Sequence, residues 1–213
     1  MNRVIDLAEK LLIVLLAAPY LYAFAKVLPT HPTYLLVVTS EVLTIALVMT
    51  RRSGSVSLDP KVVLIAFLGT AAPLIARPEG IALLPSWITG PAMFGGLLLS
   101  VAAKLALNRS FGIVAANRGI KRGGPYRFVR HPMYLGYVIT QLGFLLDSFS
   151  ARNLIIYSLA WLMNWLRLVE EERHLMVDPQ YQAFASKVRG RILPSWPHRD
   201  QGAPLADEAP PLA

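Results

Sequence analysis

Apolar residues run along the chain in long blocks that short polar segments separate. Three stretches, 11–25, 62–76 and 80–103, contain no Asp, Glu, Lys or Arg. The last is longer than the roughly 20 apolar residues that let a helix cross a bilayer. The pattern therefore predicts an all-α integral membrane protein with about five to six transmembrane helices.

The positions of the blocks divide the chain into helices and domains. Because residues 147–152 form so short a link, the two apolar stretches beside it are expected to make an antiparallel helical hairpin. The Pro-rich tail, 197–213, is expected to be disordered. We place the N-terminal transmembrane helices in 1–106 and the site-bearing core, with its C-terminal segment, in 107–196. The predicted spans are 7–28, 33–50, 61–77, 82–106, 132–147 and 153–169.

Composition and charge agree with a membrane location. Hydrophobic residues make up 54% of the chain and charged residues 16%, against about 25% charged in soluble domains. The net charge of +8 comes largely from Lys and Arg in the loops after the second and fourth spans, which predicts that these loops and both termini are cytoplasmic. No recognisable nucleic-acid module accompanies the positive charge. Asp6 and Glu9 in its head make the first apolar stretch resemble a retained helix more than a cleaved signal.

Several kinds of chemistry are disfavoured. The chain has no cysteine, which excludes a thiolate nucleophile and a Cys-based metal site. The four histidines lack metal-ligand spacing, so no metal is predicted. Glu41 lies inside an apolar span, where packing against a neighbouring helix is the favoured interpretation.

A first polar cluster lies at 123–136, Gly-Gly-Pro-Tyr-Arg-Phe-Val-Arg-His-Pro-Met-Tyr-Leu-Gly. Its Gly-Gly-Pro start predicts a turn, and Pro132 suits the first turn of a helix. Arg130, His131 and Tyr134 would then converge at the mouth of that helix. Alone, the cluster fits an interfacial anchor at headgroup level better than a functional site.

A second polar cluster changes that balance. Asn164, Arg167, Glu171 and His174 have helical spacing and share one face. Ionisable side chains on an apolar helix usually face a protein interior or cavity, although Arg167 and Glu171 could simply pair with each other. The hairpin would bring this face beside Arg130 and His131.

Together the two clusters resemble the isoprenylcysteine carboxyl methyltransferase family, in its bacterial form. The resemblance covers roughly 105–195 and rests on Gly-Pro-Tyr126, on Arg130-His131-Pro132-x-Tyr134-x-Gly136, on Glu171-Glu172-x-x-Leu175, and on Tyr181 and Pro194. The Arg-His-Pro motif is shared with phospholipid N-methyltransferases and partly with membrane sterol reductases. The Glu-Glu-x-x-Leu sequence at this distance favours methyl transfer.

The resemblance implies an enzyme of the bacterial inner membrane that uses S-adenosyl-L-methionine, with a cytoplasmic cofactor site. Its acceptor would be lipophilic, most favourably a carboxylate, and would enter from the bilayer. Arg167 would bind that carboxylate and, with Glu171 and Arg130, would form the catalytic group. The implied cofactor contacts are Arg118, Gly119, Ile120, Lys121, Tyr126, His131, Pro132, Met133, Tyr134 and Glu171.

Three other functions stay open at this point. The first is N-methylation of a phospholipid amine, and the second is a membrane reductase that uses NADPH. The third is a non-catalytic membrane scaffold that keeps the hairpin for packing.

Overall fold

The computed structural model describes residues 35–50, 55–56, 59–77, 80–110, 116–117 and 120–194, together with isolated helical positions between 7 and 26. The described part is mostly helical. Its helices are α1 (Leu35–Thr50), α2 (Pro60–Ala71), α3 (Ser86–Leu107), α4 (Pro132–Asp147), α5 (Ala151–Leu175) and α6 (Pro179–Lys187). Two short strands, β1 (Ser55–Val56) and β2 (Ala116–Asn117), pair antiparallel.

The sequence defines several helix starts. Asp59 and Asp178 are N-caps whose carboxylates accept a backbone N–H two residues later, and a proline follows each of them. A side-chain acceptor satisfies one of the unpaired amides at a helix start, and proline loses no bond there. Pro132 opens α4 in the same way.

Prolines also shorten or delimit two of the predicted spans. The helix predicted at 61–77 ends its α-helical part at Ala71 and tightens into a 3-10 turn at Ala72–Ile75, which contains Pro73. The helix predicted at 82–106 begins only after Pro85, its N-cap.

In the described part of the chain, α3 is the one helix both long and apolar enough to cross a membrane, and Pro60–Ile75 is a shorter apolar helix. Only 22% of the apolar stretch of α3 is buried within the protein. A core helix of a soluble protein would be mostly buried, so the exposed apolar side chains of α3 suit contact with lipid. The helices predicted at 33–50, 132–147 and 153–169 are present as α1, α4 and α5, whereas 7–28 and 197–213 lie largely or wholly outside the described residues.

Helices α3 and α4 pack backbone to backbone. Hypothetical Cβ atoms show how close they are: one on Gly136 would lie 2.6 Å from the carbonyl oxygen of Gly96 and 2.7 Å from the amide of Ser100. Small residues permit such close helix contacts in membrane proteins. At the far end, the Thr89 hydroxyl donates to the Asp147 carboxylate over 2.8 Å.

Helices α4 and α5 are antiparallel, which confirms the predicted hairpin. Large side chains hold them apart: the Trp161 indole donates to Gln141 over 2.8 Å, and the rings of Phe144 and Tyr157 meet edge to face. The start of α4 therefore lies beside the end of α5. Helix α5 also continues to Leu175, six residues beyond the predicted span. The polar Glu171-Glu172 pair therefore lies on a helix and not in a loop.

The core lies at this end of the bundle. It joins buried side chains of α1, α2, α3, α4 and α6 with Tyr126 of the preceding loop. Lys104 is buried beside it, and its ammonium donates to the Thr44 hydroxyl over 2.8 Å. The core members are Leu47, Val48, Val62, Ala66, Ala103, Tyr126, Met133, Tyr181, Phe184 and Ala185.

Candidate active site

A glycine-proline turn leads into α4. Gly124 has a φ of +60°, which glycine adopts without strain, and Gly124–Arg127 form one 3-10 turn. The chain then enters α4 with His131 as N-cap and Pro132 as first helical residue. The predictions of a turn at 123–125 and of a helix start at Pro132 are both confirmed.

The residues just before α4 are tied to the C-terminal segment. The Arg130 amide donates to the Gly190 carbonyl over 2.9 Å, and the His131 amide donates to the Arg191 carbonyl over 2.8 Å. Buried backbone amides need such partners, and the Arg-His-Pro turn obtains them from beyond α6.

Glu172 is the centre of a buried charge network at this turn. Its Oε1 atom lies 3.1 Å from Arg130 Nε and 3.2 Å from His131 Nε2, and its Oε2 atom lies 2.7 Å from Arg191 Nε. The Tyr181 hydroxyl also donates to Oε1, over 3.4 Å. Neither Arg130 Nε nor Glu172 Oε2 forms a hydrogen bond with a described residue. The contacts of these two atoms within the network are therefore ion pairs held by electrostatic attraction.

The network fixes the ionisation of Glu172, whose side chain is only 5% exposed. Burial by itself raises the pKa of this carboxyl, but the hydrogen bond from His131 and the positive charges around it outweigh burial and lower the pKa below its ordinary 4.5. Glu172 is therefore ionised at neutral pH, and its charge is used within the protein.

Glu171 has different neighbours. Its Oε2 atom accepts a hydrogen bond of 3.1 Å from the Tyr134 hydroxyl, and the side chain is half-buried. Burial, followed by the negative charge of Glu171, raises the pKa of Tyr126 well above 10, so this second phenol stays protonated. Glu171 thus lies among buried tyrosines and retains contact with solvent.

Arg167 is buried on the same side of α5. The residue is 6% exposed, and its Cζ atom lies 5.7 Å from the centre of the Tyr134 ring. A guanidinium at this distance from an aromatic face is stabilised by a cation–π contact. The hairpin prediction that Arg167 and Glu171 meet the start of α4 is confirmed at Tyr134.

The other predicted site residues are placed as follows. Ile120 packs against the core and Lys121 is half-buried. The side chains of Pro132 and Met133 are buried, Met133 within the core. Arg118, Gly119 and the Glu41 side chain lie outside the described residues. Cofactor binding by this set stays a prediction.

The remaining members of the second cluster divide between packing and the site. Asn164 is buried, and its side-chain oxygen would lie 2.9 Å from a Cβ on Gly69, so it packs against α2. His174 is half-buried near the end of α5. Within the described residues no group of three or more His, Asp or Glu side chains is arranged to hold a metal ion.

Sequence reasoning missed the charge network that Glu172 and Arg191 form with the start of α4. It assigned the Glu-Glu motif to Glu171 alone. Helical spacing gives a usable signal, because Glu172 lies one turn after the apolar Leu168 on the same face of α5. Arg191 carries no comparable signal, because a single arginine in a polar segment is ordinary.

This geometry can be compared with known protein families. Residues 86–178 match the family model described as phospholipid methyltransferase. The match runs from the start of α3 to just past the end of α5. The family includes members like the isoprenylcysteine carboxyl methyltransferases, so the resemblance drawn from the motifs is confirmed. Among curated proteins, none matches the chain.

The family defines the general activity. A phospholipid methyltransferase domain implies a membrane methyltransferase, and enzymes of this kind generally use S-adenosylmethionine. At the mouth of α4, the half-buried Glu171 has a carboxylate that suits the ammonium or hydroxyl groups of such a cofactor, and the buried Tyr134 holds that carboxylate by a hydrogen bond. The match ends at 178, so α6 and the segment after it lie outside it.

Proposed function

We propose that the chain transfers a methyl group from S-adenosylmethionine to the carboxylate of a lipophilic acceptor. The observation that carries this proposal is the placement of Arg167, a buried and permanently charged side chain, against Tyr134 at the mouth of α4. A buried, permanently charged guanidinium suits an anionic acceptor group such as a carboxylate.

The reaction requires the protein mainly to position the acceptor carboxylate and the methyl donor. A carboxylate is already ionised at neutral pH, so no strong base is needed. The guanidinium of Arg167 can hold both carboxylate oxygens through two parallel N–H bonds. When bound, S-adenosylmethionine supplies a methyl group on a positively charged sulfur. Alignment of the acceptor with that group is the main source of acceleration.

The residues of the site divide this work. Glu171 and the tyrosines beside it would hold the methyl donor, and Arg167 would hold the acceptor. Glu172 would keep Arg130 and His131 in place, since its charge is already shared among four protein groups. Acceptors would enter from the bilayer, and the site would face the cytoplasm, as the distribution of Lys and Arg predicts.

A second candidate is N-methylation of a phospholipid amine, which the description of the matched family favours. An amine must lose a proton before or during transfer, and the Glu171 carboxylate could accept it. In that reaction Arg167 would have no acceptor charge to bind.

The test uses the full chain in lipid nanodiscs with methyl-labelled S-adenosylmethionine. One arm offers a prenylated cysteine with a free carboxylate, and the other offers phosphatidylethanolamine. Arg167→Ala is expected to reduce transfer to the carboxylate about 10- to 100-fold, the value of a charge-assisted hydrogen bond, and to retain binding of S-adenosylhomocysteine. Arg173→Ala is the matched control, because that side chain is 74% exposed and pairs with Glu170 on the same helix.

Each result has one meaning. Transfer to the lipid amine alone, with Arg167→Ala fully active, would replace the carboxylate proposal by the second candidate. Full transfer to the carboxylate by Arg167→Ala would show that the role of Arg167 is wrong. Calorimetry that detects no S-adenosylhomocysteine binding by folded wild-type protein would overturn both candidates.

A further inference from the structure

The segment after α6 returns to the candidate site although it lies outside the family match. Helix α6 is anchored by Tyr181, Phe184 and Ala185, all buried in the core. The following residues, 188–191, then run past the start of α4. The chain beyond 178 is therefore part of the structure that surrounds the Arg-His-Pro turn.

Arg191 makes two different contacts there. Its carbonyl accepts the His131 amide over 2.8 Å, and its Nε atom lies 2.7 Å from Glu172 Oε2. One residue thus holds both the backbone of the turn and the carboxylate that contacts Arg130 and His131. No other described residue outside the family match has an ion pair with Glu172.

We propose that Arg191 is a positioning residue for methyl-donor binding, acting as a latch that keeps the Arg130-His131 turn and Glu172 in register. The proposal rests on the proposed function, because it assumes that the donor binds at this turn. Arg191 does not itself need to touch the donor.

The exposure of the latch distinguishes positioning from simple stabilisation. The Arg191 side chain is 48% exposed, whereas that of its partner Glu172 is 5% exposed. A half-exposed ion pair contributes little to global stability. After loss of the Arg191 side chain, Glu172 keeps Arg130 and His131 as partners, so the fold persists while the turn loosens.

The experiment compares Arg191→Ala with Arg191→Lys and with Arg189→Ala, an exposed arginine two residues earlier. Calorimetry with S-adenosylhomocysteine measures donor-site affinity, and thermal unfolding measures stability. We expect Arg191→Ala to weaken binding about three- to tenfold, with an apparent Tm within about 3 °C of wild type. Arg191→Lys should restore part of the affinity, and Arg189→Ala should bind like wild type.

Amide hydrogen exchange supplies a readout that needs no ligand. In Arg191→Ala the amides of Arg130 and His131 should exchange faster, while those in the α3–α4 contact should not change. If wild type binds no S-adenosylhomocysteine, the proposed function fails, and local exchange still tests the latch.

Three results would overturn the latch. The first is unchanged affinity for S-adenosylhomocysteine in Arg191→Ala, whatever its exchange rates. The second is faster exchange throughout the protein with a large fall in Tm, because this indicates a general structural role. The third is an equal loss of affinity in Arg189→Ala, because this indicates a general effect of positive charge.

Discussion

The contact between α3 and α4 gives the sharpest test of the packing, because two adjacent glycines differ completely in their surroundings. A Cβ on Gly96 would lie 2.6 Å from the Thr140 hydroxyl, 2.7 Å from its amide nitrogen and 2.8 Å from the Gly136 carbonyl oxygen. A Cβ on Gly95 would meet nothing within 4 Å. Gly96→Ala and Gly95→Ala therefore add the same methyl group to a crowded position and to an open one.

The expected difference follows from the neighbours of each glycine. Both substitutions gain helix propensity of about 1 kcal/mol, since glycine is the poorer helix former. Only Gly96→Ala also overpacks the contact between α3 and α4, which destabilises the protein by about 1–3 kcal/mol. Two of its three close neighbours are backbone atoms that cannot swing away. We therefore expect Gly96→Ala to be less stable than Gly95→Ala by about 2–3 kcal/mol.

The assay is unfolding of the full chain in detergent, followed by tryptophan fluorescence or by circular dichroism. The comparison of the two variants under identical conditions removes the effect of the detergent and of the propensity gain. Equal stability of the two variants would refute the backbone-to-backbone packing of α3 and α4.

The remaining predictions concern the charge network and the tyrosine beside it. Glu172→Gln should destabilise the protein by about 3–5 kcal/mol in the same unfolding assay, because it leaves buried cations without their counter-charge; a loss as small as that of Arg173→Ala would contradict this. The folded pKa of Glu172 lies below its ordinary 4.5, so its contribution is present above about pH 4.5 and is lost as the pH falls through the folded pKa. Acid unfolding curves should therefore be flatter in Glu172→Gln, and identical slopes would argue against the shift. Tyr134→Phe should weaken S-adenosylhomocysteine binding about 3- to 10-fold, because it removes the hydrogen bond to Glu171. An unchanged affinity in calorimetry would show that this hydrogen bond does not contribute to donor binding.

Much of the candidate site could be predicted from the sequence because its signals are local. The Gly-Gly-Pro turn and Pro132 each have a stereochemical preference that acts within a few residues. The short link at 147–152 then defines an antiparallel hairpin, and helical spacing brings Arg167 to the face near Tyr134. Each of these inferences needed only neighbouring residues or one tight turn.

The parts that escaped prediction depend on contacts distant along the chain. The different contacts of Glu171 and Glu172 depend on which of the two carboxylates faces Arg130, and this residue lies about 40 positions earlier in the chain. The return of Arg191 to the turn depends on the position of α6, which no local pattern indicates.

The two sides of α4 tolerate change to different extents. Toward α3 the backbones touch, so no side chain can grow there without moving the helix. Toward α5 the spacing is set by large side chains such as Trp161 and Phe144, whose exchange alters the shape between the helices and leaves the backbone contact with α3 intact. Substitutions can therefore be made on the α5 side of this helix while the Arg-His-Pro turn at its start stays in place.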